Sequence, residues 1–243
     1  LSVVIPAYKE ADRIESTILR VREEVGRKIN NDLEVIVVDD GSQDGTETAA
    51  KQADQIVVLP NNQGKGAALR VGVAKARGRV IAFTDADLAY SPVQIFNLLV
   101  EVENGYDWVV GNRHHMNTRT IVKVGFLRGV GGRMVNFATH LLLLGQYRDT
   151  QCGLKAFRAD VARALFDAST IKGFAFDVEL FHLAERWRLS LLEIPVEIEN
   201  SERTTVRAIQ DGLRLLRDLI HVRQLASKGS YPANPELPKA SKV

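Results

Sequence analysis

The feature that most constrains the fold is a regular alternation of short apolar runs with longer, charge-rich stretches. The apolar runs are rich in β-branched residues, as strands are, and most of them close on polar or turn-forming groups. They are LSVVIPAY from residue 1, LEVIVVDDGS from 33, QIVVL from 55, RVIAFTD from 79 and YDWVVG from 106. Helices are predicted between them at 10–28, from 46, at 65–76 and at 92–103. This alternation predicts an α/β fold with a mainly parallel, Rossmann-like sheet flanked by helices.

Composition and length favour one globular domain. A chain of 243 residues that is 45% hydrophobic and 26% charged can bury a sizeable core. We predict that domain over residues 1–226 and a disordered tail over 227–243, where proline and lysine are frequent. The net charge of +2 gives no indication of nucleic-acid binding, and the single Cys152 has no partner for an internal disulfide. A reducing, cytoplasmic compartment is therefore expected.

Acidic residues close two of the predicted strands. Asp85 and Asp87 follow one apolar run, and Asp39 and Asp40 follow another. Because ligands bind beyond the carboxyl ends of parallel strands, we expect one cleft to contain both pairs. Carboxylates one residue apart repel each other, and their oxygens suit Mg²⁺ or Mn²⁺. A solvated turn with aspartates at capping positions is the alternative interpretation of Asp85 and Asp87.

The pair Asp39 and Asp40 has two interpretations. A carboxylate at this place can bond ribose hydroxyls or the imide edge of a pyrimidine. Alternatively, the stretch caps the next helix, with Ser42 or Asp44 holding its first turn. The two roles are compatible, since only one residue need form the cap.

The stretch NNQGKGAALRVG places Lys65 between two glycines at a predicted helix start. It lacks the G-x-x-x-x-G-K-[ST] spacing of a P-loop, which disfavours an ATPase. A helix N-terminus next to donor phosphates remains compatible with it.

The segment from 108 to 148 contains no Asp or Glu and accumulates cations. They are Arg113, Arg119, Lys123, Arg128, Arg133 and Arg148. The apolar run at 141–144 lies among them, as expected of an interfacial helix that meets anionic headgroups or of a helix in the core. Both interpretations stay open, and a further helix is predicted from about 205 to 226.

Several short motifs together resemble a known family. VVIPAYKE, VVDDGSQDGT, NQGKGAALRVG, TDADL, VVGNR, and DTQCGLKAF followed by FDVEL occur in its order, over roughly residues 1–225. The chain resembles family 2 glycosyltransferases of the GT-A fold, in the branch of dolichyl- or polyprenyl-phosphate sugar synthases. The fold implied is a GT-A domain with basic and apolar helices on the acceptor side.

The resemblance implies a role for each matching residue. Asp85 and Asp87 would hold Mg²⁺ or Mn²⁺, and Arg113 and Arg128 would receive the acceptor phosphate. The implied donor-binding residues are Pro6, Ala7, Tyr8, Glu10, Asp39, Asp40, Lys65, Asp85, Ala86 and Arg203. Ala89 stands where many relatives carry a glutamine, so the metal shell would rely more on water and phosphate. SERTTVR replaces the basic C-terminal element of the family.

The implied chemistry is an inverting displacement at an anomeric carbon. The divalent cation acts as a Lewis acid on the leaving nucleoside diphosphate, with Asp87 as its catalytic ligand. A phosphomonoester is mostly a dianion at neutral pH, so it needs positioning by cations more than a general base. Asp177 and Glu179 lie where hydroxyl-glycosylating relatives keep their base. Asp177 is therefore a catalytic or sugar-binding candidate, with helix-dipole complementarity as the alternative.

The expected function is transfer of a hexose or N-acetylhexosamine from a nucleotide sugar to a polyprenyl phosphate. A UDP-sugar is favoured over GDP-mannose, because DTQCGLKAF and FDVEL resemble the glucosyl branch. The chain is expected to work peripherally on the cytoplasmic membrane face, with a homo-oligomer or an anchoring partner left open. The alternatives are a soluble phosphorylated metabolite or polysaccharide as acceptor, and a nucleotide-sugar-binding protein without turnover.

Overall fold

The computed structural model describes residues 1–120, 149–199, 208–235 and 237–238. Its strands are β1 (Ser2–Ala7), β2 (Glu34–Asp39), β3 (Gln55–Val58), β4 (Val80–Phe83), β5 (Trp108–Asn112), β6 (Arg119–Thr120), β7 (Lys155–Arg158), β8 (Leu191–Pro195) and β9 (Glu197–Ile198). Its helices are α1 (Ile14–Glu24), α2 (Thr46–Ala49), α3 (Lys65–Lys75), α4 (Val93–Glu103), α5 (Ala159–Ala168), α6 (Phe176–Arg186) and α7 (Ala208–Ser227), with a 3₁₀ turn at Gly26–Ile29.

The described strands form a seven-stranded sheet with the order β3-β2-β1-β4-β7-β5-β8. Strands β1 to β4 are mutually parallel, and β5 is parallel to β8. Strand β7 runs antiparallel to both of its neighbours, β4 and β5. The short strands β6 and β9 pair separately. The mainly parallel sheet is therefore confirmed, and the antiparallel β7 is an addition to the prediction.

The central strands are apolar along their length because helices cover both faces of the sheet. Residues Val3–Ile5 and Val35–Val38 are fully buried. Helix α1 packs Ile14, Ile18 and Val21 into the same core. Helix α3 approaches β1 closely at Gly72, where an added Cβ would lie 2.3 Å from a methyl of Val4. Only a glycine permits this spacing between helix and sheet.

Two predicted helices are shorter in the structure. Helix α1 begins at Ile14, since the residues from 10 to 13 form a turn after β1. Helix α2 is a single turn, Thr46–Ala49, before the edge strand β3. Among the described residues, no helix combines the length and the hydropathy needed to cross a bilayer.

Residues 229–235, here called the C-terminal segment, contact the domain. The Tyr231 side chain is only 4% exposed. The Trp187 ring donates from Nε1 to the carbonyl of Pro232 over 3.3 Å, and the Asn234 amide donates to the carbonyl of Trp187 over 2.9 Å. Composition predicts disorder here, but one aromatic ring and two hydrogen bonds attach these residues to α6.

Candidate active site

Three neighbouring strands bring the predicted donor residues to one edge of the sheet. Strand β1 lies between β2 and β4, and all three are parallel. Their carboxyl ends lead into three short stretches, namely Pro6, Ala7 and Tyr8, then Asp39 and Asp40, then Asp85, Ala86 and Asp87. Ala7 pairs in register with Asp39, so the first two stretches start at the same level. The ends of β1, β2 and β4 therefore meet at one edge of the sheet, and the region beyond this edge is here called the cleft.

Both carboxylates of the first acidic pair are buried and hydrogen-bonded to backbone amides. Asp39 Oδ1 accepts from the amide of Ser42 over 3.0 Å and also from its hydroxyl. The two oxygens of Asp40 accept from the amides of Gln63, at 2.7 Å, and Gly64, at 2.8 Å. Asp40 thus fixes the loop that enters α3.

The helix that follows β2 is held by Asp44. Its Oδ1 accepts from the amide of Thr46 over 3.0 Å and from the Thr46 hydroxyl over 2.6 Å. Of the two capping candidates, the structure selects Asp44, because Ser42 is bonded to Asp39. An open pocket of about 400 Å³ lies beside this turn. Its walls include Asp39, Gly41, Ser42, Gln43, Val58 and Leu59.

A lysine lies at hydrogen-bonding distance from Asp85, the first residue of the second acidic pair. Lys65 Nζ lies 2.5 Å from Asp85 Oδ1, and both side chains are partly exposed to the cleft. Burial raises the pKa of Asp87, and the negative charge of Asp85 raises it further. The two carboxylates therefore remain in mutual repulsion, which the Lys65 ammonium offsets at Asp85.

The backbone around this pair is constrained. The Ala86 carbonyl accepts a hydrogen bond from the Thr17 hydroxyl on α1 at 2.6 Å. Leu88 adopts a left-handed conformation, with φ of 46°, although its side chain is buried. Such a conformation is costly for a leucine and persists where the surroundings determine it, often at functional sites. The backbone between Asp85 and Asp87 is thereby held against α1.

The chemistry of this pair fits a divalent cation that also binds phosphate. Two carboxylates one residue apart are a suitable set for Mg²⁺ or Mn²⁺, which are commonly held by one or two carboxylates plus substrate phosphates. Within the described ranges, no group of three or more His, Cys, Asp or Glu side chains could hold a metal alone. Two carboxylates leave the other positions of such a cation to phosphate or water oxygens.

Glu10 lies in the same electrostatic environment. Its carboxylate pairs with Arg13 at 2.8 Å, and its amide donates to the Thr46 hydroxyl at 3.0 Å. Burial raises the pKa of Glu10, Arg13 opposes this, and the charges of Asp87 and Asp85 raise it further. The turn before α1 thus brings a third carboxyl group near Asp85 and Asp87.

The glycines beside Lys65 have a packing role. An added Cβ at Gly64 would lie 2.6 Å from the carbonyl oxygen of Lys172, and one at Gly66 would lie 2.8 Å from that of Ile171. The Ala67 amide donates to the Lys172 carbonyl over 3.2 Å. The glycines therefore allow the loop at residues 169–173 to lie directly against the start of α3.

Asp177 is buried behind the cleft and paired with a lysine. Lys155 Nζ lies 2.7 Å from its Oδ1 and also donates to the Cys152 carbonyl at 2.5 Å. Burial raises the pKa of Asp177, although Lys155 and Lys65 oppose the shift. Asp177 therefore belongs to a row of alternating charges with Lys155, Lys65 and Asp85. No partner for Lys155 was predictable, since the only signal in the sequence is a charge inside the apolar run GLKAF.

Glu179 is fully buried and its oxygens are occupied. They accept from the amide and hydroxyl of Thr170, the amide of Ile171 and the hydroxyl of Tyr231, at 2.8–3.0 Å. This carboxylate organises a loop and does not face the cleft.

Arg113 is engaged by an acidic residue that sequence reasoning missed. Its Nε and Nη2 donate to the two oxygens of Asp149 over 2.8 Å and 2.7 Å. Burial alone would lower the pKa of Arg113, but the bonds to Asp149 raise it. The Arg113 side chain is 36% exposed, whereas Asp149 is fully buried. Arg128, Arg203 and the apolar run 141–144 lie outside the described residues.

Comparison with known proteins identifies the family. The model of glycosyl transferase family 2 matches residues 2–166. A dolichyl-phosphate beta-glucosyltransferase of Drosophila melanogaster is 33% identical over 91% of this chain and 74% of its own. The human protein of the same name is 30% identical over 95% of this chain and 77% of its own.

Solved structures share the architecture. The glucosyl-3-phosphoglycerate synthase of Mycobacterium tuberculosis, crystallised with Mn²⁺, UDP-glucose and phosphoglyceric acid, has a TM-score of 0.67. It is 23% identical, and the match covers 95% of this chain and 80% of that one. The mannosyl-3-phosphoglycerate synthase of Rubrobacter xylanophilus has a TM-score of 0.69 at 18% identity, covering 95% and 75%. The fold is thus the predicted GT-A type, and the chain belongs to glycosyl transferase family 2.

Proposed function

We propose that this protein is an inverting glycosyltransferase that moves glucose from UDP-glucose to a polyprenyl phosphate of the dolichyl class, with a divalent cation. The observation that carries the proposal is the meeting of Asp85, Asp87 and Lys65 beside the acidic end of β2. The curated relatives named dolichyl-phosphate beta-glucosyltransferase support this donor and acceptor.

The donor nucleoside is proposed to bind beyond the ends of β1 and β2. The exposed Tyr8 ring offers a stacking surface, and the open pocket beside Asp39 offers polar groups at its wall. Pro6 and Ala7 shape the floor of this region, and Glu10 contributes negative charge near its inner end. Asp40 acts on the donor indirectly, since both of its oxygens hold the loop before α3.

The diphosphate is proposed to lie between Lys65 and the pair Asp85 and Asp87. Asp85 and Asp87 would hold Mg²⁺ or Mn²⁺, which supplies Lewis-acid stabilisation of the leaving UDP. Lys65, which bonds Asp85, would turn its ammonium group towards a phosphate oxygen. The Ala86 carbonyl accepts from the Thr17 hydroxyl, which would hold the backbone between the two carboxylates in place.

The acceptor is proposed to be a phosphate dianion. One of its oxygens attacks the anomeric carbon from the face opposite the UDP, the bond from that carbon to the UDP oxygen breaks, and a β-linked product forms. The exposed part of Arg113 that Asp149 leaves available, together with Arg128, would position it, and Arg203 would close over the donor phosphates. Asp177 is not proposed as a general base, because its carboxylate is buried and paired with Lys155.

The protein is proposed to work peripherally on the cytoplasmic membrane face. A polyprenyl chain remains in the bilayer, so its phosphate must be received at the headgroup level. The acid-free segment 108–148 suits contact with anionic lipid.

The experiment is a product assay with radiolabelled UDP-glucose, a short polyprenyl phosphate in detergent, and Mn²⁺ or Mg²⁺. A label that moves into chloroform and disappears with EDTA supports the proposal. Asp87→Asn should lower the rate by about 100-fold or more, because it removes a carboxylate ligand of the cation that would stabilise the leaving UDP. Asp167→Asn, an exposed acid on α5, is the matched control.

Parallel reactions separate the alternatives. Labelled GDP-mannose tests the other donor, and phosphoglyceric acid without lipid tests a soluble acceptor. Water-soluble product in the lipid-free reaction would overturn the acceptor assignment. Metal-dependent binding of UDP-glucose without any product would contradict catalytic activity and favour a nucleotide-sugar-binding protein.

A further inference from the structure

The C-terminal segment reaches a buried carboxylate on α6. The Tyr231 hydroxyl donates to Glu179 Oε1 over 2.8 Å, in a place where both side chains are nearly or fully buried. Burial and the negative charge of Glu179 raise the pKa of Tyr231, so the hydroxyl keeps the proton that it donates. The Tyr231 ring also packs near His182, with centroids 5.5 Å apart.

Glu179 accepts its other hydrogen bonds from the loop at residues 169–173. It accepts from the amide and hydroxyl of Thr170 and from the amide of Ile171. A fully buried carboxylate is costly unless such bonds satisfy it. Tyr231 is the only donor among these that comes from a separate part of the chain.

The same loop is bound from the other side by α3. Arg70 donates to the Ser169 carbonyl over 2.7 Å, and the Ala67 amide donates to the Lys172 carbonyl over 3.2 Å. The close approach at Gly64 and Gly66 leaves no space for a side chain between loop and helix. The loop therefore sets the position of the first turn of α3, which carries Lys65.

We propose that Tyr231 and Glu179 are positioning residues for the donor diphosphate, which act through the loop at residues 169–173 on Lys65. The inference rests on the proposed function, because Lys65 contacts a diphosphate only if the donor binds at Asp85 and Asp87. It assigns the C-terminal segment an indirect part in the donor site. Glu179 and the loop at residues 169–173 connect Tyr231 to the first turn of α3, which carries Lys65.

The test compares Tyr231→Phe with the unmodified protein by two measurements. Calorimetry gives the Kd of UDP with Mn²⁺, and hydrogen–deuterium exchange follows the amides of Ala67, Thr170 and Ile171. We expect UDP to bind roughly three- to tenfold more weakly, and these amides to exchange faster. Thr170→Val, which removes the other hydroxyl bond to Glu179 Oε1, should act in the same direction.

A double-mutant cycle distinguishes positioning from a general loss of stability. In a Lys65→Met background, Tyr231→Phe should change the UDP affinity less than about twofold, because its effect acts through Lys65. Tyr106→Phe, at the opposite edge of the sheet before β5, is the matched control and should bind UDP normally.

The outcomes are separable. UDP affinity that Tyr231→Phe leaves unchanged, or weakening that is equal in both backgrounds, overturns the positioning role. Weaker UDP binding without faster hydrogen–deuterium exchange at the Ala67 amide also overturns it, because the loop would then not transmit the effect of Tyr231 to α3. If the unmodified protein binds no UDP with Mn²⁺, the proposed function itself falls.

Discussion

Gly153 leaves the space that the carboxylate of Asp85 occupies. An added Cβ would lie 2.1 Å from Asp85 Oδ2, well inside any real contact. We therefore expect Gly153→Ala to displace the carboxylate and to lower kcat/KM by about 100-fold, as a shift near 1 Å can do. Titration of Mn²⁺ with UDP present, followed by electron paramagnetic resonance, should show weaker binding of the cation.

The control for this variant is Gly26→Ala. Its added Cβ would meet only the flexible side chain of Asn31, at 3.1 Å, far from the cleft. It should retain Mn²⁺ binding and activity. Normal Mn²⁺ affinity in Gly153→Ala would contradict the claim that Asp85 needs this glycine.

The residues of the cleft divide into those that sequence could and could not predict. Asp39, Asp85 and Asp87 stand at strand ends, and the carboxyl edge of a parallel sheet gathers such ends without knowledge of side-chain contacts. The Lys155–Asp177 and Arg113–Asp149 pairs join residues 22 and 36 positions apart, and no local period indicates them. The glycines on either side of Lys65 lack the spacing of a P-loop, and their geometry reflects packing against the Lys172 carbonyl, which no local pattern indicates.

At the scale of elements, Glu34 joins three strands at the amino-terminal edge of the sheet. Its carboxylate accepts from the Ser2 hydroxyl at 2.5 Å, from Gln55 Nε2 at 2.7 Å, and from the amide and Nε of Arg77. Burial alone would raise the pKa of Glu34, but the bonds from Ser2, Arg77 and Gln55 lower it to about 2.

This shift predicts an acid-dependent loss of stability. A lowered pKa stabilises the fold above the ordinary value of 4.5, and this contribution disappears as the pH falls towards about 2. Glu34→Gln should lower the free energy of unfolding by about 2 kcal/mol at pH 7 and flatten its slope below pH 4.5. Urea unfolding between pH 7 and 2 measures both. Glu23→Gln, in an exposed pair with Arg27, should change neither, and an unaltered acid slope in Glu34→Gln would refute the assignment.

The alternation of strands and helices was predictable up to β5, because short apolar runs bounded by polar and turn-forming residues mark each strand locally. Strand β7 was not predicted, since Lys155 interrupts its apolar run and the charge is neutralised only by Asp177 on a later helix. Helix α2, predicted to begin at residue 46, is a single turn, and Asp44 accepts from its first amide. Tertiary partners decided each of these differences.

At the scale of the molecule, an aromatic cluster joins the parallel part of the sheet to the mixed part. Phe157 on β7 stacks on Trp108 of β5 and Phe83 of β4, with centroids 4.9 Å and 5.7 Å away. It also meets Phe166 of α5 edge-on at 6.4 Å. The two parts of the sheet therefore share one core, with no separate interface between them.

We expect Phe157→Ala to lower the free energy of unfolding by about 3–5 kcal/mol, a large fraction of the roughly 5–15 kcal/mol of a typical domain. Because the cluster belongs to both parts of the sheet, unfolding should remain a single transition with a lower midpoint. Guanidinium unfolding followed by tryptophan fluorescence and circular dichroism measures this. Phe174→Ala, at a side chain 56% exposed, should change stability by less than about 0.5 kcal/mol. Two separated transitions in Phe157→Ala, with β1 to β4 melting later, would contradict a shared core and divide the molecule at the β4–β7 pairing.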